Sequence, residues 1–164
     1  MQIHLDDLSE NAEKHLQFQL EDESFSYMGT EMTLQDLSFD GVFSRKKAEV
    51  TMTGSLKGSV RTLCARCLGP AAADLDVQVS VRFIPGGDEE AEDAVFAYES
   101  GLIEPDDALR QEAVLNMPSR ILCRPDCKGL CPTCGADLNE GPCACVPEDE
   151  INPKFAALKN FRFE

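Results

Sequence analysis

Eight cysteines in 164 residues, six of them crowded between Cys123 and Cys145, are the side chains here best suited to chemistry. The run reads Cys123-x3-Cys127-x3-Cys131-x2-Cys134-x8-Cys143-x-Cys145, and Cys64-Ala-Arg-Cys67 lies about sixty residues upstream. A thiolate pair two residues apart, followed by glycine, can wrap a tetrahedral cation with its own backbone amides aimed at the sulfurs. Cys131-Pro-Thr-Cys134-Gly135 has that form, and Cys64-Ala-Arg-Cys67-Leu-Gly69 is a looser version. Eight thiols also make two complete tetrathiolate shells with none left over. The expectation is therefore two zinc ions, held by Cys64, Cys67, Cys123, Cys127, Cys131, Cys134, Cys143 and Cys145.

Other uses of thiols fit less well. An even cysteine count in a small chain often marks a secreted disulfide scaffold. Met1-Gln-Ile-His-Leu-Asp has no basic start followed by an apolar run, so no signal peptide is visible. Pairs one or two residues apart would also close small, strained disulfide loops. Four thiolates can hold an iron–sulfur cluster, and spacing alone leaves that open. A redox Cys-x-x-Cys usually follows a strand and opens a helix, whereas Cys64-Ala-Arg-Cys67 is expected to join two strands. Neither His4 nor His15 lies near the cysteines, so neither is expected as a ligand. No Ser/His/Asp set, phosphate loop or open histidine-bearing metal site is present. Closed tetrathiolate sites are structural as a rule, so the reading is not an enzyme.

Two segments must position these thiols. From Ala48 to Val60 the even positions read Ala, Val, Met, Gly, Leu, Gly, Val, and the odd ones are polar or charged. From Ala73 to Phe83 the odd positions read Ala, Leu, Val, Val, Val, Phe. Both are period-two patterns, which predicts two half-buried strands, with Gly54 and Gly58 marking bends. Cys64 and Cys67 would then sit at the tip of a long antiparallel hairpin. Residues 1–40 say less: Ile3 and Leu5 suggest a short strand, and Ser9 to Leu20 reads as helix or strand. Asp106 to Met117 reads as a helix with Pro105 before it and Leu109, Ala113 and Met117 as its stripe. Asn152-Pro153 reads as a second helix start, with Phe155, Leu158 and Phe161 as the docking face.

The fold class expected is α+β: an antiparallel sheet with a long hairpin, short helices and a C-terminal cysteine-rich zinc-binding segment. The divisions expected are a β-rich domain over 1–87, an acidic linker over 88–105, and 106–164 as helix, metal segment and C-terminal helix. Cys131, Cys134, Cys143 and Cys145 form a quartet within fifteen residues, which is cheap in loop closure. Cys64, Cys67, Cys123 and Cys127 would then share the second ion and clamp the two halves together. The alternative partition pairs Cys64 and Cys67 with Cys131 and Cys134, as in a zinc ribbon.

Thirty acids against fifteen bases give a net charge of −15. Such a field repels nucleic acid at long range and attracts basic partners. Arg45-Lys46-Lys47, Arg61 with Arg66, and Arg120, Arg124 and Lys128 are local basic clusters, and such clusters are usually solvated faces. No apolar stretch approaches the roughly 20 residues of a membrane span, so the chain should be soluble with no membrane partner.

The chain resembles the YceD family, the large ribosomal RNA subunit accumulation proteins. The resemblance rests on Gly58-Ser-Val-Arg-Thr-Leu-Cys-Ala-Arg-Cys-Leu68, on Leu115-Asn-Met-Pro118, and on Cys127-Lys-Gly-Leu-Cys-Pro-Thr-Cys-Gly-Ala-Asp-Leu-Asn139. Cys143-Ala-Cys145 and the terminal Asn-Pro-Lys-Phe-Ala-Ala-Leu158 continue it, with Asn152-Pro-Lys154 where the family usually has Asp-Pro-Arg. The resemblance implies a cytoplasmic bacterial protein that supports accumulation of large-subunit ribosomal RNA, in a family described as metal-binding and as a candidate nucleic-acid binder. Joined to the charge, it points to a basic ribosomal protein or a large-subunit assembly intermediate as partner. Ribosomal RNA would then be reached indirectly, and no small-molecule substrate is expected. Two alternatives remain open at this point. One is direct RNA binding through Arg61, Arg66, Arg120, Arg124 and Lys128, and the other is a redox- or metal-responsive thiol protein.

Overall fold

The alternating apolar residues of the middle third build one large sheet. β4 (Thr30–Lys46), β5 (Glu49–Leu63) and β6 (Pro70–Pro85) run antiparallel side by side, and their alternate residues point into a common core. Phe39 and Phe43, Val50, Met52, Leu56 and Val60, and Leu75, Val77, Val79, Val81 and Phe83 are all buried on that face. The computed structural model describes residues 1–86 and 94–145. β2 (Glu13–Gln19) and β3 (Glu23–Tyr27) pair in succession with the outer side of β4. Residues 9–20 thus resolve as strand where the pattern left helix or strand open. β1 (Ile3–His4) pairs with β8 (Leu102–Ile103) in a separate two-stranded sheet.

Four expectations about the fold are corrected. The sheet is mixed, because β7 (Val95–Tyr98) pairs parallel with the end of β6, from Arg82↔Val95 to Pro85↔Tyr98. β5 and β6 do not stand out as a long hairpin: β4 runs along the other side of β5, so that strand is interior to the sheet. In place of several short helices, the described residues hold one α-helix, α1 (Pro105–Leu115), and a three-residue 3-10 turn at Leu5–Asp7. Residues 95–98 and 102–103, expected to lie in a linker, form β7 and β8. The helix expected from Asn152 lies outside the described residues.

α1 starts as its residue types dictate, with Pro105 in the first turn and Asp106 and Asp107 at the positive end of the helix dipole. It buries Pro105, Ala108, Leu109 and Ala113, and it ends at Leu115, so Met117 falls just beyond. One buried apolar cluster runs from the sheet through α1 to Ile121, Cys64 and Cys127. The first cysteine group therefore grows directly out of the core.

β4 carries a bulge that its side chains reveal. Asp36 and Leu37 together oppose Gly58, and the register shifts by one residue between Gln35 and Ser38. Asp36 takes a left-handed φ of 54°, and its amide is capped by Asp22 Oδ1 at 3.0 Å. Gly58 is required on the facing strand, since a Cβ there would lie 2.7 Å from Leu37 Cδ2 and 2.9 Å from the Gln35 carbonyl.

Candidate metal centres

The connection from β5 to β6, residues 64–69, is a tight loop closed by its own backbone. Cys64 N–H donates to the Gly69 carbonyl at 2.7 Å, and Leu68 N–H to the Cys64 carbonyl at 3.0 Å. Leu68 has a φ of 59°, which turns the chain sharply after Cys67. Arg66 N–H points at Cys64 Sγ from 3.4 Å. That is the amide-to-sulfur arrangement a thiolate needs.

The segment after α1 comes back to this loop. Ala65 N–H donates to the Ile121 carbonyl at 2.9 Å, and Leu130 N–H to the Arg66 carbonyl at 3.2 Å. Arg66 Nη1 donates to the Cys127 carbonyl at 2.6 Å. Gly129 makes the close approach possible: its φ is +77°, and an added Cβ would lie 3.0 Å from the Arg66 carbonyl oxygen. As a result Cys64 and Cys67 meet Cys123 and Cys127, with Cys64 Sγ 3.8 Å from Cys127 Sγ and Cys67 Sγ 3.6 Å from Cys123 Sγ. Cys131, Cys134, Cys143 and Cys145 form a second group, and in each group the sulfurs lie within 4.8 Å of one another. This grouping is the partition that loop closure favoured, and it leaves the ribbon-like alternative unrealised.

In both groups the four sulfurs lie close enough together to share one metal ion. A zinc–sulfur bond of about 2.3 Å places tetrahedral sulfurs about 3.8 Å apart. A disulfide would need about 2.05 Å, so these are free thiols. The second group is wound tightly as well: Gly135, with φ +74°, donates to the Cys131 carbonyl at 2.9 Å, and Cys131 N–H bonds the Ala136 carbonyl at 2.8 Å.

The protonation behaviour of the thiols argues the same way. Burial acts most strongly on Cys64 and opposes ionisation. Backbone hydrogen bonds from Cys67, Cys123 and Arg66 outweigh it and bring its pKa down to about 6. Backbone amides of Cys134 and Thr133 likewise hold Cys131 at about 6. Their neighbours go the other way. Burial, then hydrogen bonding to Cys127, Cys67 and Cys64, pushes Cys123 up to about 12. Hydrogen bonding to Cys134, then burial, pushes Cys145 up to about 12. Without a cation, one thiol of a group ionises readily and another is held protonated. A divalent ion would remove that conflict and let all four serve as thiolates.

Asn139, at the end of the Cys127–Asn139 motif, is a structural residue that the sequence does not mark. Its Oδ1 accepts from Lys128 N–H and Arg124 Nη2, both at 2.8 Å. Its Nδ2 donates to Asp137 Oδ1 at 2.6 Å and reaches Cys127 Sγ at 3.5 Å. A residue from the loop of the second group thus supports a sulfur of the first. Asn139 has no periodicity or spacing to betray it, because its role depends on how the two loops stack.

Among the basic residues, Arg66 and Arg124 are engaged within this region, Arg124 also facing Asp126 at 3.5 Å. Arg45 is internal too, donating to the Leu5 and Leu8 carbonyls at 2.8 and 3.2 Å. Arg61, Arg66, Arg120, Arg124 and Lys128 are all exposed. His15 faces Asp40 at 2.8 Å on the polar side of the sheet, and neither histidine belongs to either cysteine group.

The family model described as "Large ribosomal RNA subunit accumulation protein YceD" matches residues 52–162, which take in most of β5, all of β6 and α1, and all eight cysteines. The chain belongs to the YceD family. Uncharacterized proteins of Mycobacterium bovis and of Mycobacterium tuberculosis (strain H37Rv) are each 32% identical to it over 113 residues. In both cases the match covers 66% of this chain and 54% of the relative. An uncharacterized protein of Mycobacterium leprae is 29% identical over 114 residues, covering 67% and 52%. The chain spans about half the length of the curated relatives it matches. No solved structure matches it. No helix among the described residues of this YceD protein is long and apolar enough to cross a membrane.

Proposed function

We propose that this YceD protein holds one zinc ion in each cysteine group and supports accumulation of large-subunit ribosomal RNA by binding a basic ribosomal protein or assembly intermediate. The family supplies the ribosomal context, and the charge carries the choice of partner. The chain bears −15. Eight thiolates and two divalent ions together take it to −19, a field suited to lysine- and arginine-rich surfaces. Two of the five basic residues considered for RNA, Arg66 and Arg124, also bond within the cysteine loops while remaining exposed. A closed tetrathiolate shell leaves no coordination position for a substrate, which supports a non-enzymatic role.

Two measurements test this reading. Depleting the protein lowers large-subunit relative to small-subunit ribosomal RNA. The purified chain binds ribosomal RNA fragments only weakly, with a dissociation constant above ~1 μM at physiological salt. A tight, sequence-selective complex of the purified protein with ribosomal RNA would overturn the indirect route in favour of direct recognition.

A further inference from the structure

We propose that the outer edge of β6 receives an extended segment of the basic partner as an added strand. The inference rests on the reading above that the partner is basic, and it specifies where and by what chemistry that partner is held.

The side on which each backbone group lies follows from parity. Arg82 N–H donates to the Ala94 carbonyl at 3.0 Å and Gly86 N–H to the Tyr98 carbonyl at 3.1 Å, both toward β7. β5 and β6 stay in one register from Leu63↔Pro70 to Val50↔Phe83, without a shift. Alternate residues of a strand present N–H and C=O to opposite sides, so the even-numbered residues of β6 all face away from β5. These are Ala72, Asp74, Asp76, Gln78 and Ser80. β7 covers only Arg82–Pro85, and among the described residues no backbone partner meets the other five. All five are exposed, while Leu75, Val77, Val79 and Val81 between them are buried.

A row of open N–H and C=O groups this long is the template used in strand addition. The side chains along it specify the occupant. On the polar face, Asp74 and Asp76 stand where a neighbouring strand would place its own side chains beside them. Opposite charges are favoured at such positions and like charges opposed. Asp76 meets Lys57 only at 3.6 Å with both side chains well exposed, a contact too weak to satisfy it. On the other face, an added residue would border Leu75, Val77 and Val79, which calls for an apolar side chain. The occupant is therefore a segment alternating lysine or arginine with apolar residues. The free edge of β2 differs: it is seven residues long and carries Glu13, Lys14 and His15 in mixed charge. A plainer reading of Asp74 and Asp76 is that they only keep the edge from pairing with other chains. The two readings predict different results.

The test uses the full-length protein as purified, with its metal, and a short synthetic peptide of strictly alternating Lys and Val. An isomer of the same composition, with Lys and Val in separate blocks, is the control. The alternating peptide should bind at least ~10-fold tighter than the block isomer. Its binding should slow amide exchange at Ala72, Asp74, Asp76, Gln78 and Ser80. Gln78→Pro removes one outward N–H that β5 does not use, and it should weaken the alternating peptide ~10-fold with little change in thermal midpoint. If that variant folds poorly, Asp74→Lys with Asp76→Lys should abolish the preference for the alternating peptide instead. Equal binding of both peptides, or binding of neither, overturns the proposal. So does protection of those five amides in the free protein, since the edge would then already be covered by another segment or a second copy. A basic ribosomal protein that binds wild type and Gln78→Pro alike would sink the edge while leaving the basic-partner reading intact.

Discussion

Replacing Cys64 by serine should loosen residues 118–145 as a whole, although they lie more than fifty positions away in sequence. Cys64 is fully buried where the sheet core meets the first cysteine group, and it shares that group with Cys67, Cys123 and Cys127. The returning segment meets the loop between β5 and β6 through the packing of Ile121 and Cys127 beside Cys64 and through a few hydrogen bonds. Its contacts there include two backbone hydrogen bonds and the Arg66 guanidinium on the Cys127 carbonyl. Each such bond contributes only about 1 kcal/mol net, less than the entropy of ordering a glycine- and proline-rich run. A shared ion would supply the difference, since metal binding energy is folding energy in a segment of this kind. The loss expected is at least ~3 kcal/mol, seen as amide exchange across 118–145 at least ~100-fold faster than in the wild type. Cys134→Ser should be milder at the loop between β5 and β6, because its group is complete within residues 131–145. Equal protection of 118–145 in Cys64→Ser and wild type would mean that the two halves share no ion.

A comparably large effect is expected far from any thiol. Gly41 and Gly54 face each other across β4 and β5, under the ring of Phe39. A Cβ on Gly54 would lie 2.5 Å from the Asp40 carbonyl oxygen, 2.6 Å from Gly41 Cα and 2.9 Å from Phe39 Cζ. Two of those three neighbours are backbone in the middle of a sheet and cannot swing aside. Phe39 is itself fully buried and packs on Phe18 and Phe43, with ring centroids 5.5 and 6.0 Å away. Gly54→Ala should therefore cost about 3 kcal/mol, or roughly 6–12 °C in thermal midpoint for a chain of this size. Gly141→Ala is the matched control, with nothing within 4 Å of its added methyl. A Gly54→Ala midpoint no lower than that control would show that the strands lie further apart than described.

Much of this architecture could be read in the residues, and the failures have definite causes. β5 and β6 were legible because nothing interrupts their alternation. β4 is as long as either, yet its pattern passes unseen. Its core residues are Met32 and Leu34 at even positions, then Leu37, Phe39 and Phe43 at odd ones. The bulge at Asp36–Leu37 switches the parity, so a period-two search finds two weak halves instead of one strand. β7 was missed for another reason: four residues after an acidic run carry too little pattern, and only the parallel register with β6 defines them. The second cysteine group was legible because it is local. The first depends on a chain reversal that spacing could favour but not demonstrate. Asn139 and Gly129 lie beyond any spacing argument, since one acts by linking two loops and the other by letting them touch.

The two cysteine groups are expected to be two tetrathiolate zinc sites. Elemental analysis of the full-length protein, purified without chelator, tests this most directly. Two zinc ions per chain and no appreciable iron are expected. One zinc per chain, or iron in the place of zinc, would contradict it.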